Sequence, residues 1–326
     1  MVYVFTFLTL TYNHEKCIIE HLESIKYQIE NHANDRKVNI IICDDASTDN
    51  TVLLIEKWFE VNKILFNQVT ISVNPKNLGV VKNYFNGINA VKTEKFKCLA
   101  GDDIYFINNV FDAQGDYDFA FSYPIVFSEE GINCENTLKR MYRIDCVRKN
   151  THESVRKFIK KGYTPFFGAP AIFYDIKILQ NEDLQKFVGQ YKWIEDLPTY
   201  HHLFVMNKNK DLKITILDKA YVLYRNTMGI SKKKHSSFTS FDDERVKMYE
   251  QLDMKLNPRK YLIPELYSDA VNRYRKLYID NKIFKKSKDE FMRFENEMKL
   301  ADIHYEEIKK RAINFYENIS FEVKKD

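Results

Sequence analysis

The first hundred residues alternate between short apolar runs and segments in which apolar residues recur every three or four positions. The runs are rich in β-branched and aromatic residues and predict strands at Val2–Thr11, Val38–Cys43 and Val69–Val73, with a fourth strand that ends near Leu99. The segments between them predict helices whose apolar residues face the sheet, namely Ile18, Leu22, Ile25, Ile29, Val52, Ile55, Phe59, Val81, Tyr84, Ile88 and Val91. This order predicts an α/β fold with an open, mostly parallel sheet flanked by helices.

The pattern changes in the second half of the chain. Strands are predicted over Asp118–Ser128 and Ala220–Leu223, an irregular loop leads into a strand over Thr164–Tyr174, and a helix begins near Asp196. Beyond about residue 236 the sequence is helical and heavily charged. We therefore expect an α/β domain over residues 1–235 and a helical C-terminal region over residues 236–326.

Aromatic residues and lysines are interleaved in this C-terminal region, for example at Lys282, Phe284, Lys285 and Lys286. The pattern fits a homo-oligomer interface or a peripheral membrane contact, and it fits an ordinary helical packing face equally well. No apolar run approaches the roughly 18 residues that a membrane span needs. Met1–Thr11 has no basic leader or small-residue cleavage site. We expect a cytoplasmic protein, with the inner face of the cell membrane as a second location.

Charge and cysteine content narrow the class of protein. The chain has 50 basic and 46 acidic residues, a net charge of +4, which is too balanced to indicate a nucleic-acid partner. Its five cysteines are an odd number, and this favours a reduced cytosolic compartment. With 44% hydrophobic residues, the chain can form a globular core.

Acidic pairs follow two of the predicted strands, where open α/β sheets collect their ligands. Asp44 and Asp45 offer one carboxylate to a base or ribose and one to organise the loop, although strand-ending acidic turns are common. Asp102 and Asp103 would repel each other unless a cation or hydrogen-bond donors compensate. They predict a Mg²⁺ or Mn²⁺ site that also binds a diphosphate, with a helix-capping turn as the alternative.

Two later segments carry further candidate chemistry. Glu195 and Asp196 precede Pro198 at a predicted helix start, where an Asp can cap the helix and a neighbouring carboxylate can act at its exposed end. Arg225 follows a predicted strand and precedes three lysines at 232–234. These cations could neutralise a departing diphosphate, and the lysines also fit a solvated charge run.

In their order along residues 1–232, these motifs resemble the family-2 glycosyltransferases of the GT-A fold, in particular a capsule-type subgroup. Thr11-Tyr12-Asn13 resembles the first-strand signature of that family. The segment 44–51 resembles its base-binding loop, and Asn77-Leu78-Gly79 resembles its third-strand loop. Ala100 stands where the first acid of the family's Asp-x-Asp motif is usual. The resemblance implies a Rossmann-like GT-A domain that binds a nucleotide sugar, with a bacterial surface polysaccharide as the product.

The resemblance also implies roles for individual residues. Asp196 would be the catalytic base with Glu195 beside it, and Asp102 and Asp103 would bind the metal. Gly168 and Ala169 of an acceptor-side loop, with Trp193, are the predicted acceptor contacts. The predicted nucleotide contacts are Thr11, Tyr12, Asn13, Asp44, Asp45, Asn77, Gly79, Lys82, Asp102 and Arg225. The expected reaction is an inverting transfer from a nucleotide-diphosphate sugar, with UDP as the first choice, to a carbohydrate or lipid-linked glycan.

Two other functions compete with this prediction. A sugar-nucleotide pyrophosphorylase also binds nucleotides on an α/β sheet, but the chain lacks a Gly-rich basic loop after its first strand. A non-catalytic sugar-nucleotide-binding or scaffold subunit is favoured only by Ala100 in place of the usual acid. Turnover of a nucleotide sugar with a metal titration separates an enzyme from a binding subunit.

Overall fold

The structure is a computed structural model that describes residues 4–134, 169–206, 212–226 and 288–322, together with positions 136, 137, 140, 141, 244, 248, 250 and 251. The predicted loop at 164–168, the lysines at 232–234 and the lysine-rich segment at 282–286 lie outside these residues. The predicted domain boundary at residue 235 lies outside them too, and it stays a prediction.

Four parallel strands form the sheet at the N-terminal end of the chain. They are β1 (Val4–Thr11), β2 (Lys37–Asp44), β3 (Gln68–Val73) and β4 (Lys95–Ala100), in the order β3-β2-β1-β4. Thr11 pairs with Asp44 and Leu10 pairs with Ala100, so the carboxyl ends of the strands meet at one edge. The predicted parallel α/β sheet is confirmed, and its strands are each within two residues of their predicted bounds.

Helices cover both faces of this sheet, because side chains alternate between the faces along each strand. The helices are α1 (Ile18–His32), α2 (Thr51–Asn62) and α3 (Val80–Ala90), and a 3₁₀ turn, Lys63–Leu65, follows α2. Ile42 packs towards α1 and α2, whereas its neighbour Ile41 packs towards α3. Truncation of a fully buried isoleucine to alanine typically costs about 2–5 kcal/mol, so this alternation fixes the register of each strand.

The remaining strands form two smaller sheets. β5 (Ile104–Tyr105), β7 (Ile125–Ser128), β8 (Gly131–Ile132) and β11 (Val222–Arg225) are arranged as β5-β11-β7-β8. β6 (Phe119–Phe121), β9 (Ile172–Tyr174) and β10 (Ile214–Ile216) are arranged as β10-β6-β9. Tyr224 and Arg225, predicted to follow a strand, instead lie within β11, because they pair with Val126 and Phe127 of β7.

Short helices connect these sheets to the edge where the parallel strands end. They are α4 (Ile176–Leu179), α5 (Glu182–Val188) and α6 (Asp196–His201), and α6 continues into a π-helical turn, His202–Met206. Leu197 and Tyr200 of α6 are buried in the same core as α3. This packing fixes the start of α6, where Asp196 stands.

A long C-terminal helix, α7 (Lys288–Glu322), packs on α1 and β8. Its buried residues recur every three or four positions, at Phe294, Met298, Ala301, Tyr305, Ile308 and Ala312. The ring of His304 bonds to the carbonyl of Tyr105 (2.9 Å), and Arg311 pairs with Glu30 of α1 (2.8 Å). The helix thus confirms the predicted helical C-terminal region and has an ordinary packing face on the α/β domain. Within the described ranges, no helix is both long enough and apolar enough to cross a bilayer.

Candidate active site

The two carboxylates that end β2 hold the loops at the edge of the sheet. Asp44 is fully buried and accepts a hydrogen bond from the hydroxyl of Thr11 (2.7 Å). Asp45 accepts hydrogen bonds from the backbone N–H groups of Leu78 (2.7 Å) and Gly79 (2.9 Å), and so it clamps the loop after β3. Both carboxylates therefore organise loops, whereas the sequence assigned that role to one of them.

The turn after β1 lies against this acidic loop. The backbone of Asn13 has a left-handed φ of 56°, which asparagine tolerates better than most residues. Its side-chain oxygen accepts a hydrogen bond from the backbone N–H of Thr48 (2.8 Å), and Tyr12 beside it is half-buried. Tyr12 and Asn13 thus stand at the edge of the sheet, next to the loop that the sequence predicts to bind the base.

Gly79 joins the loop after β3 to a distant segment. Its φ is 89°, and a Cβ added there would lie 2.5 Å from Cγ of Lys192 and 2.8 Å from the carbonyl oxygen of that residue. The same oxygen accepts a hydrogen bond from the N–H of Val81 (3.1 Å) at the start of α3. Asn77 is half-buried and Lys82 is exposed close by. The loop after β3 therefore touches the segment that leads into α6.

The turn after β4 orients its two carboxylates differently. Asp103 is only 1% exposed, and its Oδ1 accepts a hydrogen bond from the backbone N–H of Arg225 (2.9 Å). Burial, followed by repulsion from Asp102, raises the pKa of Asp103 well above its usual value. Asp102 is 9% exposed, and no described residue hydrogen-bonds to its carboxylate. Asp102 is thus the carboxylate available to a ligand.

Two buried side chains support this turn. The ring of His21 joins the hydroxyl of Thr9 (2.8 Å) to the carbonyl of Asp103 (2.7 Å). Burial lowers the pKa of His21 to about 4, so the ring is neutral at physiological pH. Nε of Arg225 donates to the carbonyl of Asp102 (2.8 Å). The backbone of the turn is therefore held from α1 and from β11.

The guanidinium of Arg225 is already engaged by other carboxylates. It pairs with Glu20 of α1 and with Glu129 (3.2 Å), and its Cζ lies 4.5 Å from the centre of the Phe127 ring. The side chain is 3% exposed. The charge of Arg225 is thus paired and its guanidinium is buried, and the residue supports the acidic turn. Its predicted contact with a diphosphate stays a prediction.

The acidic turn offers few side chains that could bind a metal ion. Among the described residues, no three His, Cys, Asp or Glu side chains form a metal-ligand cluster. Mg²⁺ in nucleotide-dependent enzymes commonly takes one or two carboxylates and completes its coordination with phosphate and water. Asp102 fits such a site. Asp103 faces inward to Arg225, and so it fits as a support for the turn better than as the second ligand that the sequence predicts.

The second acidic pair stands at the start of α6. Glu195 is the N-cap residue, but its side chain makes no capping hydrogen bond. Oδ1 of Asp196 accepts a hydrogen bond from the N–H of Leu197 (2.6 Å), and the carbonyl of Glu195 accepts one from the hydroxyl of Thr199 (2.6 Å). A purely helix-capping role for this pair therefore lacks the side-chain bond that would define it.

These two carboxyl groups differ in how readily they ionise. Burial, with repulsion from Asp196, raises the pKa of Glu195 to about 8. Burial also raises the pKa of Asp196, but the N–H of Leu197 opposes that shift. Burial therefore favours protonation of this pair, and at neutral pH the raised pKa keeps a proton on Glu195.

The predicted acceptor residues are only partly described. Ala169 is half-buried in a 3₁₀ turn, Ala169–Ala171, whereas Gly168 lies outside the described residues. Trp193 is half-buried, with Nζ of Lys192 4.5 Å from the centre of its ring. Its backbone N–H donates to Glu244 (2.7 Å). This bond holds the backbone of Trp193, which lies two residues before Glu195.

Tyr224 lies within electrostatic range of residues from both acidic pairs. Burial raises the pKa of its hydroxyl to about 12, and the charges of Asp103, Asp102 and Asp196 add to the shift. The carboxylates of Asp102, Asp103 and Asp196 therefore all lie within electrostatic range of this hydroxyl. Cζ of Arg140 lies 5.1 Å from the centre of the same ring. The acidic turn and the start of α6 therefore face a common site.

Some residues at this site are not among those that the sequence predicts. His21 falls on the apolar side of α1, and a histidine at such a position was its one signal. Lys192 and Arg140 had no comparable signal, because their positions depend on contacts with Gly79 and Tyr224, which are far away in the chain.

Comparisons with known proteins show the family and the fold of this chain. The pattern of glycosyl transferase family 2 matches residues 6–181, which is more than half of the chain. No curated protein matches significantly. Among solved structures, residues 1–349 of S. aureus TarS, in complex with UDP-GlcNAc, match at a TM-score of 0.50 and 17% identity, over 100% of this chain and 92% of that one.

A further similar structure is the mannosyltransferase PcManGT from Pyrobaculum calidifontis, in complex with GDP-Man and Mn²⁺. Its TM-score is 0.46 at 14% identity, over 76% of this chain and 62% of the other. At such identities the likeness to solved structures concerns the fold, and the match to TarS agrees with a GT-A fold. With the family pattern matched over 176 residues, the chain is a glycosyltransferase that belongs to glycosyl transferase family 2.

Proposed function

We propose that this glycosyltransferase is an inverting enzyme that moves a sugar from a nucleotide-diphosphate donor to a carbohydrate or lipid-linked glycan, in the synthesis of a surface polysaccharide. The observation that carries the proposal is that Asp102 and Asp103 of the acidic turn and Asp196 at the start of α6 all lie within electrostatic range of Tyr224. A displacement reaction needs a base on one side of the sugar and charge stabilisation for the leaving group on the other. Asp196 and Asp102 supply these two functions.

The donor lies along the edge where the parallel strands end. Tyr12, Asn13 and Asn77 are partly accessible there, and Lys82 offers an exposed positive charge in the first turn of α3. Asp44 and Asp45 hold the loops around the nucleotide. A UDP-sugar is the first donor to test, because TarS, which shares the fold, was solved with UDP-GlcNAc.

The proton transfer is assigned to Asp196. A sugar hydroxyl is a poor nucleophile at neutral pH, so a carboxylate within hydrogen-bond reach has to accept its proton as the new bond to the anomeric carbon forms. The raised pKa of Glu195 keeps that residue protonated at neutral pH. Asp196, whose carboxylate accepts the N–H of Leu197, is the member of the pair assigned to take the proton. The bond to the diphosphate breaks on the opposite face, and the anomeric configuration inverts.

Asp102 is the residue that would hold Mg²⁺ or Mn²⁺. When bound there, the ion supplies positive charge to the departing diphosphate. Asp103, His21 and Arg225 keep the turn in place through its backbone and through the inward-facing carboxylate. The acceptor approaches from the side of Ala169 and Trp193, which belong to segments next to β9 and α6.

Donor consumption tests this function. The full chain is incubated with UDP-, GDP- and dTDP-sugars in Mn²⁺, Mg²⁺ or EDTA, and hydrolysis, in which water replaces the acceptor, is measured. We expect Asp196→Asn to reduce turnover by about 10²-fold, because a general base typically contributes 10²–10⁴-fold. Nucleotide binding, measured by calorimetry, should be unchanged.

The matched control is Asp116→Asn, since Asp116 is an exposed carboxylate that pairs with Lys213 (2.8 Å). It should leave turnover unchanged. If no nucleotide sugar is consumed by the native chain, or if Asp196→Asn turns over as well as the control, the proposed function is wrong. If Glu195→Gln is inactive while Asp196→Asn is active, the two residues exchange roles.

A further inference from the structure

The proposed site needs a positive group beside the acidic turn to meet the diphosphate of the donor. Asp102, Asp103 and Asp196 bring carboxyl groups within electrostatic range of Tyr224, and a diphosphate brings negative charge. The guanidinium of Arg225 already forms ion pairs with Glu20 and Glu129. Like charges at short distance repel strongly in a partly desolvated site, so another positive group has to face the leaving group.

Arg140 is such a group. It follows β8 in the chain and stacks over Tyr224, with its Cζ 5.1 Å from the ring centre. Burial lowers the pKa of Arg140, while the charges of Tyr224 and Asp103 oppose that shift. None of the described carboxylates forms an ion pair with this guanidinium. A desolvated cation without a paired anion is costly, and a bound anion would offset the cost.

Asp103 does not form an ion pair with Arg140. Oδ1 of Asp103 already accepts the backbone N–H of Arg225, and the carboxylate is buried beneath the turn. The contact with the Tyr224 ring positions the guanidinium, and no described carboxylate pairs with it. Such a planar, fixed group matches two phosphate oxygens at once, which a lysine cannot do.

We propose that Arg140 binds the diphosphate of the nucleotide-sugar donor and stabilises it as it leaves. This inference rests on the proposed function. It assigns to Arg140 the contact that the sequence predicts for Arg225, and it makes Tyr224 the surface on which the guanidinium is oriented.

The test compares a nucleoside diphosphate with its monophosphate. Calorimetry in Mn²⁺ measures the affinities of the full chain for UDP and UMP, or for the GDP or dTDP pair if the native chain prefers that base. Arg140→Met keeps an unbranched side chain over Tyr224 and removes the charge. We expect this variant to lower the affinity for the diphosphate by about 10- to 100-fold, the usual effect of losing hydrogen bonds to a charged group. The affinity for the monophosphate should fall by less than about threefold.

Arg36→Met is the matched control. Arg36 also stacks on an aromatic ring, Phe111, at 5.6 Å, and it pairs with Asp112 (3.2 Å) away from the site. This variant makes the same change in net charge and should leave both affinities unchanged. Arg140→Lys should recover part of the affinity for the diphosphate, because the charge returns without the planar group.

The possible outcomes distinguish an error in the role of Arg140 from an error in the proposed function. If the native chain binds a nucleoside diphosphate and Arg140→Met keeps the native ratio of diphosphate to monophosphate affinity, the assignment of Arg140 is wrong while the proposed function stands. If the native chain binds none of the three diphosphates, the proposed function itself fails. A thermal melt that matches the native chain shows that an affinity change in Arg140→Met does not come from misfolding.

Discussion

The two Asp-Asp pairs at the edge of the parallel sheet look alike in the sequence and differ in the structure. The carboxylates of Asp44 and Asp45 are saturated by hydrogen bonds from the chain, three of them from the backbone or hydroxyl groups of Thr11, Leu78 and Gly79. The carboxylate of Asp102 has no such bond from the described residues, and its neighbour Asp103 faces inward. A satisfied carboxylate stabilises the fold, whereas an unsatisfied one at a cleft can bind a ligand.

The largest effect that this difference predicts is on turnover. Asp102→Asn removes the charge and keeps the shape, so we expect sugar transfer or donor hydrolysis to fall by roughly 10³-fold, the consequence of losing several kcal/mol of charge stabilisation. The melting temperature should stay close to the native value. If Asp102→Asn unfolds the chain, Asp102 stabilises the fold as Asp44 and Asp45 do. If the variant retains activity that EDTA still abolishes, the metal binds elsewhere.

A second effect should appear in stability, at the other pair. The two oxygens of Asp45 accept one hydrogen bond each, from the N–H groups of Leu78 and Gly79. Asp45→Asn replaces one of these oxygens by an NH₂ group, which cannot accept a hydrogen bond. We expect the free energy of unfolding in urea to fall by about 1–3 kcal/mol. Asp116→Asn serves as the control, because Asp116 is exposed and should cost little. Equal stability of the two variants would mean that Asp45 does not hold the loop.

The smallest effect concerns the pH dependence of stability at α6. Glu195 has an ordinary pKa near 4.5 and a pKa of about 8 in the folded chain, so between these values the folded state keeps a proton that the unfolded state has lost. Stability from this group therefore falls as pH rises from about 5 to 8. Glu195→Gln removes that loss, and its melting temperature relative to the native chain should rise by roughly 2 °C or more over this range. A constant difference would contradict the raised pKa.

The parallel sheet could be predicted from the sequence because its signals are local. β2 runs over Lys37–Asp44 against a prediction of Val38–Cys43, since a short β-branched run between turn residues leaves few alternatives. The buried face of α1 was harder to predict. Gln28 is fully buried although it is polar, because its amide donates to the carbonyl of Phe106. Ile29, predicted to face the sheet, is only half-buried.

The candidate site was predicted in part for the same reason. The acidic pairs are visible as neighbours in the chain, so their positions at strand and helix ends follow from local pattern. Arg225 and Glu20 are 205 positions apart, and nothing in a single sequence indicates that they pair. Arg140 and Tyr224 meet in the same way. Which charged groups of the site pair with each other therefore depends on the fold and could not be predicted from the sequence.

The packing of α7 on α1 has a consequence for biosynthesis. Arg311 pairs with Glu30 across 281 positions of the chain, and the hydroxyl of Tyr316 bonds to the carbonyl of Glu15 across 301 positions. At about 5–20 residues per second, a ribosome needs roughly 15 to 60 s to add that length. During this time α1 leaves the exit tunnel without its final partner, and the surface that α7 later covers is open to chaperones and to other nascent chains. Slower translation through the intervening segment lengthens this exposure, and so the aggregation of newly made chains should depend on the speed of elongation.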